Sequence, residues 1–168
     1  MRLPSYRRTL LRAVPLLVVA CASGAPSPQP GALVLMPCRP ANPAAAEASV
    51  DASGDRITVR GHTFDLRPGS VRRITRFRVE DRANGYAGVD IRPHGTRFDA
   101  PARLTLSYAR CKAEAAGFRN LRIVEVRTGR TEIVGEPLRS GVDSINMTVT
   151  AEIPHLSGYL IGGNRQEQ

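Results

Sequence analysis

The stretch "ARLTLSY", residues 102–108, alternates without a break. Leu104, Leu106 and Tyr108 fall on one side; Arg103, Thr105 and Ser107 fall on the other. A period of two marks a strand with one face in a core and the other in water. The pattern recurs on both sides of it. "RITVR" (56–60) places Ile57 and Val59 together, and "VRRITRFRVE" (71–80) sets Val71, Thr75, Phe77 and Val79 against Arg72, Arg76 and Arg78. "GVDIRP" (88–93) alternates through Val89 and Ile91. "NLRIVEVRTGRTEIVGEP" (120–137) reads as two short strands around a Thr128-Gly129-Arg130 turn. "SINMTVTAEI" (144–153) aligns Ile145, Met147, Val149 and Ala151, and "GYLIGG" (158–163) closes the series. Helical composition is confined to "ARCKAEAAGF" (109–118), enough for one or two turns and at most one short helix near 111–118. Seven or so short strands separated by Gly, Pro and Asn turns predict an all-β fold, an antiparallel β-sandwich.

Upstream of residue 50 the composition changes. Arg2, Arg7, Arg8 and Arg12 precede a short apolar run from Ala13 to Ala20, the pattern of a secretory signal too short to span a bilayer. The junction Val18-Val19-Ala20-Cys21 resembles the lipobox of bacterial lipoproteins, in which Cys21 would be lipidated and become the new N-terminus. The alternative is ordinary signal-peptidase processing at Ala20-Cys21-Ala22 and a free secreted protein. Residues 21–49 are rich in Pro, Ala and Ser, as in "ASGAPSPQPG" (22–31), and read as a tether. Within it "LVLMPC" (33–38) is an apolar run expected to be pinned to the domain through Cys38 and to add a short strand. The expected organisation is a signal over 1–20, a tether over 21–49, a sandwich over 50–163 and a polar tail over 164–168.

The chain has 168 residues and a formal charge of +9. Removing the four arginines of residues 1–20 leaves a mature charge near +5. With Cys21 lipidated, Cys38 and Cys111 remain. Two cysteines in an exported chain point to a disulfide, with two buried free thiols as the alternative. Nearly every basic residue is arginine, Lys112 being the one lysine. Arg72, Arg76, Arg78 and Arg82 form a candidate comb for an anionic envelope polymer or lipid headgroup, because guanidinium suits bidentate contacts with phosphate and carboxylate. The competing reading is an edge strand guarded by charge. Nucleic acid is disfavoured: the chain has no Trp and shows no aromatic-basic platform. His62, His94 and His155 are widely spaced and no HExxH or CxxC occurs, so no metal site is expected. GxSxG, P-loop and GxGxxG motifs are missing too, and no cofactor or small-molecule substrate is evident. Asp90, Asp99 and Asp143 stand near strand ends, where Asp commonly makes turns.

Three stretches in order resemble one family. "GHTFDLRPGSV" (61–71) is similar to the opening of the ZU-type domain of ankyrins, netrin receptors and death-domain adaptors. "VDIRPHGTRFDAPARLTLSY" (89–108) resembles its most diagnostic stretch, and "VTAEIPHLSGYLI" (149–161) resembles its end. There an apolar strand leads into His-Phe-Ser; here the middle residue is Leu156. The resemblance spans roughly residues 50–163 and is nearest to small exported bacterial domains of this type. Their Pro-Cys near the start and cysteine after "LSY" match Cys38 and Cys111, which implies their pairing. His155-Leu156-Ser157 is also similar to the self-cleavage site of adhesion-receptor domains. Cleavage there would have the Ser157 hydroxyl attack the Leu156 carbonyl while His155 takes its proton. The other reading of the tripeptide is the entry to a last strand. The expectation taken forward is a non-enzymatic cell-envelope lipoprotein module, held at the membrane by Cys21 and acting structurally or through an envelope protein partner. A self-cleaving domain and a polyanion-binding module are the alternatives.

Overall fold

A computed structural model describes residues 32–166 of the chain. The signal, Cys21 and the last two residues of the tail lie outside that range. Two antiparallel sheets pack face to face, as the alternation predicts. The first is organised around β11 (Gly158–Arg165). On one side β11 pairs with β8 (Phe118–Val126). On the other it pairs end to end with β6 (Gly88–Arg92) and β1 (Leu33–Leu35). β5 (Thr75–Asp81) and β2 (Ala45–Val50) continue the sheet beyond β6. The second sheet runs β3 (Asp55–Val59), β4 (His62–Leu66), β7 (Arg97–Ser107), β10 (Thr148–His155) and β9 (Ser140–Asp143).

The core is what the period of two requires. Ala102, Leu104 and Leu106 of β7 meet Val149, Ala151 and Ile153 of β10 on the inner face. The opposing sheet supplies Phe77, Val79, Val89, Ile91, Tyr159 and Ile161. Phe64 and Phe77 bridge the sheets edge to face with ring centroids 5.8 Å apart. A 3-10 turn over Ala109–Cys111 runs into α1 (Lys112–Ala115), matching the short helix expected there. No helix among the described residues is long and apolar enough to cross a membrane.

The sandwich starts earlier than residue 50. β1 contributes Leu33 and Leu35 to a second apolar cluster, with Val124, Val126 and Leu160, on the outer face of the first sheet. β2 pairs with β5 from Ala45 to Val50. Of the tether expected over 21–49, Leu33–Leu35 and Ala45–Val50 are therefore strands of the sandwich. β2 was concealed because its inward residues, Ala46 and Ala48, give "AAEASV" almost no hydropathic contrast. At the other end β11 carries Asn164 and Arg165 beyond the expected limit of 163.

Two further expectations are corrected. The second strand of 120–137 reduces to a single bridge, Val126 to Ile133. The segment instead crosses to the other sheet, with Val134 N–H bonded to Glu125 O and Leu138 N–H to Ile123 O. Ile145 does not join the β10 face, while Met147, just before the strand, still packs against the core. Asp143 accepts the Ile145 and Asn146 N–H groups at 3.0 and 2.9 Å, and Met147 adopts φ 53°. That turn leaves Ile145 89% exposed.

The disulfide is present: Cys38 and Cys111 are joined, both buried, with Cα atoms 4.7 Å apart and a sequence separation of 73. It fastens the N-terminal arm to the 3-10 turn beside the β5–β6 connection, where Cys38 N–H bonds to Gly85 O at 2.8 Å. Closing so long a loop is worth about 4 kcal/mol on the chain-entropy account. The Cys38→Ser, Cys111→Ser double variant should lose about that much stability, read as a lower urea midpoint with a slope that rises as the unlinked unfolded chain exposes more surface; an unchanged midpoint refutes the assignment.

Candidate functional site

Two places were singled out by sequence: the His155-Leu156-Ser157 step and the arginine comb. The first lies in the connection between β10 and β11. Pro154 has no N–H to donate, and the β10–β7 register slips between Ile153 and His155. The chain beyond it is clamped by the β6–β7 connection. Leu156 N–H bonds to Thr96 O at 2.9 Å, Gly95 N–H to Leu156 O at 3.1 Å, and Ile91 N–H to Ser157 O at 3.1 Å. The Leu156 side chain is buried in the main core.

The side chains of the step face away from a shared proton path. Ser157 Oγ donates to Val126 O at 3.3 Å. His155 Nε2 lies 3.2 Å from Glu125 Oε1. An attack by Ser157 on Leu156 would start from a hydroxyl turned to one strand and an imidazole turned to a carboxylate. The Leu156 carbonyl, which would gather negative charge, has one N–H donor, from Gly95. None of the three residues has a positive φ, and their peptides are trans. Tyr159 completes the arrangement: its hydroxyl donates to His155 O at 2.7 Å from a fully buried ring. Sequence reasoning did not single out Glu125, which sits outside any motif.

Gly158 shows why a glycine follows the serine. A Cβ there would lie 2.6 Å from Asp90 Oδ1 and 3.1 Å from Arg82 Nη2. Those two groups form a bidentate buried pair, Nε to Oδ2 at 2.7 Å and Nη2 to Oδ1 at 3.0 Å. Arg82 also donates to the Arg127 and Arg130 carbonyls of the crossing segment. Arg82 is 5% exposed and cannot belong to a surface comb. Asp90 is likewise a pairing group rather than a turn-maker. All of Gly88 to Ile91 is buried, because the outer face of β6 is covered as well as the inner.

The remaining comb residues separate further. Arg72 precedes β5 and binds Asp99 through Nε and Nη2, both at 3.0 Å. Arg76 and Arg78 do stand side by side on the outer face of β5. With Arg92, Pro93, His94 and Glu47 they line an open cleft of about 500 Å³. Each is already matched. Glu47, facing them from β2, accepts from Arg76 and from Arg78 Nη1 at 2.6 Å. Glu80 accepts from Arg78 Nε at 2.6 Å and lies 3.8 Å from Arg92 Nε. Hydrogen bonds from Arg78 and Arg76 hold the Glu47 carboxyl below its usual range, and Glu80 and Glu47 push Arg78 up. Glu47 was missed because it sat in the presumed tether.

The three histidines are engaged separately. His62 is bound to Asp81 and to Ser107 N–H, His94 Nδ1 is 3.2 Å from Thr128 Oγ1, and His155 faces Glu125. Among the described residues no three His, Cys, Asp or Glu side chains converge as metal ligands. The fold and its bond thus define an all-β, disulfide-linked antiparallel sandwich. Comparison with protein-family models and with curated proteins gives no match.

Burial pushes the Tyr159 phenol up, and the Glu125 charge adds to the shift. A phenol raised in the folded state stabilises fully below the unfolded value of about 10 and loses that contribution as pH rises beyond it. Tyr159→Phe should cost about 1 kcal/mol at neutral pH by removing the bond to His155 O. It should also flatten the decline in stability above pH ~10. Urea unfolding across that range checks both, and an identical alkaline slope in the variant would count against the assignment.

Proposed function

We propose that this chain is a non-enzymatic module of the bacterial cell envelope, a ZU-like sandwich carried by a lipid on Cys21 and working structurally or by contact with an envelope protein. The observation that carries the reading is the buried Cys38–Cys111 disulfide. Such bonds persist in oxidising compartments outside the cytosol. That agrees with the signal-like run and the lipobox-like Val18-Val19-Ala20-Cys21. A free secreted form is the alternative if processing occurs at Ala20-Cys21-Ala22.

The non-catalytic part of the reading rests on how the polar groups are used. Ser157, His155 and the buried aspartates each spend their hydrogen bonds on holding strands and turns together. Because β1 begins at Leu33, eleven residues separate the anchor from the sandwich. Fully extended they reach about 40 Å. The proposed partner is therefore one that meets the domain close to the membrane surface.

Two measurements test this. Cys21→Ser should move the protein from the membrane fraction to the soluble fraction of the envelope; unchanged fractionation would argue against lipidation. The intact mass of the purified chain should show no loss of residues 157–168. A fragment ending at Leu156 would replace this reading with self-cleavage.

A further inference from the structure

The comb is neutralised where it stands, and two of the arginines without a carboxylate, Arg103 and Arg139, lie together on the opposite face of the molecule. On the outer face of the second sheet, strand register aligns Thr58, Thr63, Thr105 and Thr150 in one row across β3, β4, β7 and β10. The next row runs Arg56, Asp65, Arg103 and Glu152, alternating in sign. The threonine row ends on β9 at Gly141, the register partner of Thr150. A Cβ at Gly141 would meet nothing within 4 Å. The missing side chain leaves a notch, an open depression of about 490 Å³ whose lining includes Arg103, Arg139, Ser140, Gly141, Thr150 and Glu152.

Charge compensation in this face is uneven. Arg56 is bound to Asp65 at 2.8 Å, and Glu152 is bound to Arg67 at 2.6 Å. Arg103 and Arg139 have no carboxylate within ion-pair distance among the described residues. Thr150 Oγ1 is fixed 2.9 Å from Thr105 Oγ1, and one of the two hydroxyls donates to the other. Ser140 Oγ is spent locally, accepting from Ile123 N–H and donating to Leu138 O. The notch therefore combines two uncommitted guanidinium groups, an oriented hydroxyl and a floor without a side chain.

We propose that this notch binds the oxyanion group, carboxylate or phosphate, of a small ligand, with Arg103 and Arg139 both reaching it from the side of Gly141 on which Glu152, held by Arg67, also lies. The planar donor fork of guanidinium matches both groups, and a charged acceptor roughly doubles the strength of each hydrogen bond. The site does not depend on the anchor or on the envelope partner.

The experiment is an amide-shift titration of the full chain with inorganic phosphate and, separately, with citrate, at constant ionic strength. Saturable shifts centred on Gly141 and Thr150 are expected, and the tighter probe identifies phosphate or carboxylate as the preferred group. Replacing Arg103 and Arg139 together by Gln should weaken binding by about tenfold or more. Replacing Arg76 and Arg78 should leave it unchanged. Gly141→Val adds bulk to the notch without altering charge, and its Cβ meets nothing within 4 Å, so the variant should fold as the parent does and lose binding to the same degree. Full binding by Gly141→Val overturns the proposal. So do shifts spread evenly over all the arginines, or no saturable shift at all.

Discussion

One fully buried carboxylate fixes the geometry of this end of the molecule. Asp81 closes β5 with its side chain turned inward and 0% exposed. Left alone there, its charge would cost several kcal/mol. Arg110 binds it through two hydrogen bonds of 3.1 Å, His62 Nε2 lies at 3.3 Å and Arg60 Nε at 3.4 Å. His62 Nδ1 accepts the Ser107 N–H, so in the neutral ring the proton sits on Nε2, facing Asp81. These partners come from separate elements. Arg60 lies in the two-residue β3–β4 turn, made possible by φ values of 47° and 80° at Arg60 and Gly61. His62 opens β4, and Arg110 lies in the 3-10 turn. Satisfying Asp81 therefore sets the approach of one sheet to the other.

The disulfide follows from the same demand. Arg110 also donates to Arg82 O and Tyr86 O, so it shapes the β5–β6 connection while it neutralises Asp81. Its neighbour Cys111 is thereby set against Cys38, whose own N–H is held by Gly85 in that connection. Arg82, the residue after Asp81, turns to the opposite face and pairs with Asp90 across Gly158. Adjacent residues with opposite directions thus charge both faces of the first sheet, and glycine at 158 is the consequence on the outer one.

The strands were legible wherever large apolar residues alternate with polar ones, as in β7, β5 and β10. Legibility failed where that contrast vanished or where a tertiary contact overrode it. Alanines hid β2. Asp143 diverted 144–147 into a turn that no hydropathic count reveals. Alternation in "VRRITRFRVE" correctly put Arg76 and Arg78 outside; extended past Asp81 it also gave Arg82 the outer face but not its burial, because Asp90 on β6 and the crossing segment cover it there. The cysteine pair was readable from number and context. The setting of His155 was not, since Glu125 reaches it from another strand.

Arginine content alone is a poor guide to where such a surface binds anything. A guanidinium already held by a carboxylate must surrender that pair before it serves a ligand, and exposed pairs are worth at most about 1 kcal/mol. The barrier is small for one pair, but Arg76, Arg78, Glu47 and Glu80 form a shared network in which freeing one cation leaves two anions facing the incoming charge. Arg103 and Arg139 carry no such cost. Alternation gave a register; cross-strand pairing then decided which cations were consumed. The single glycine at 141 turns what remains from a flat sheet face into a concavity. Position on the sheet, more than the number of charges, separates a solvated face from a site.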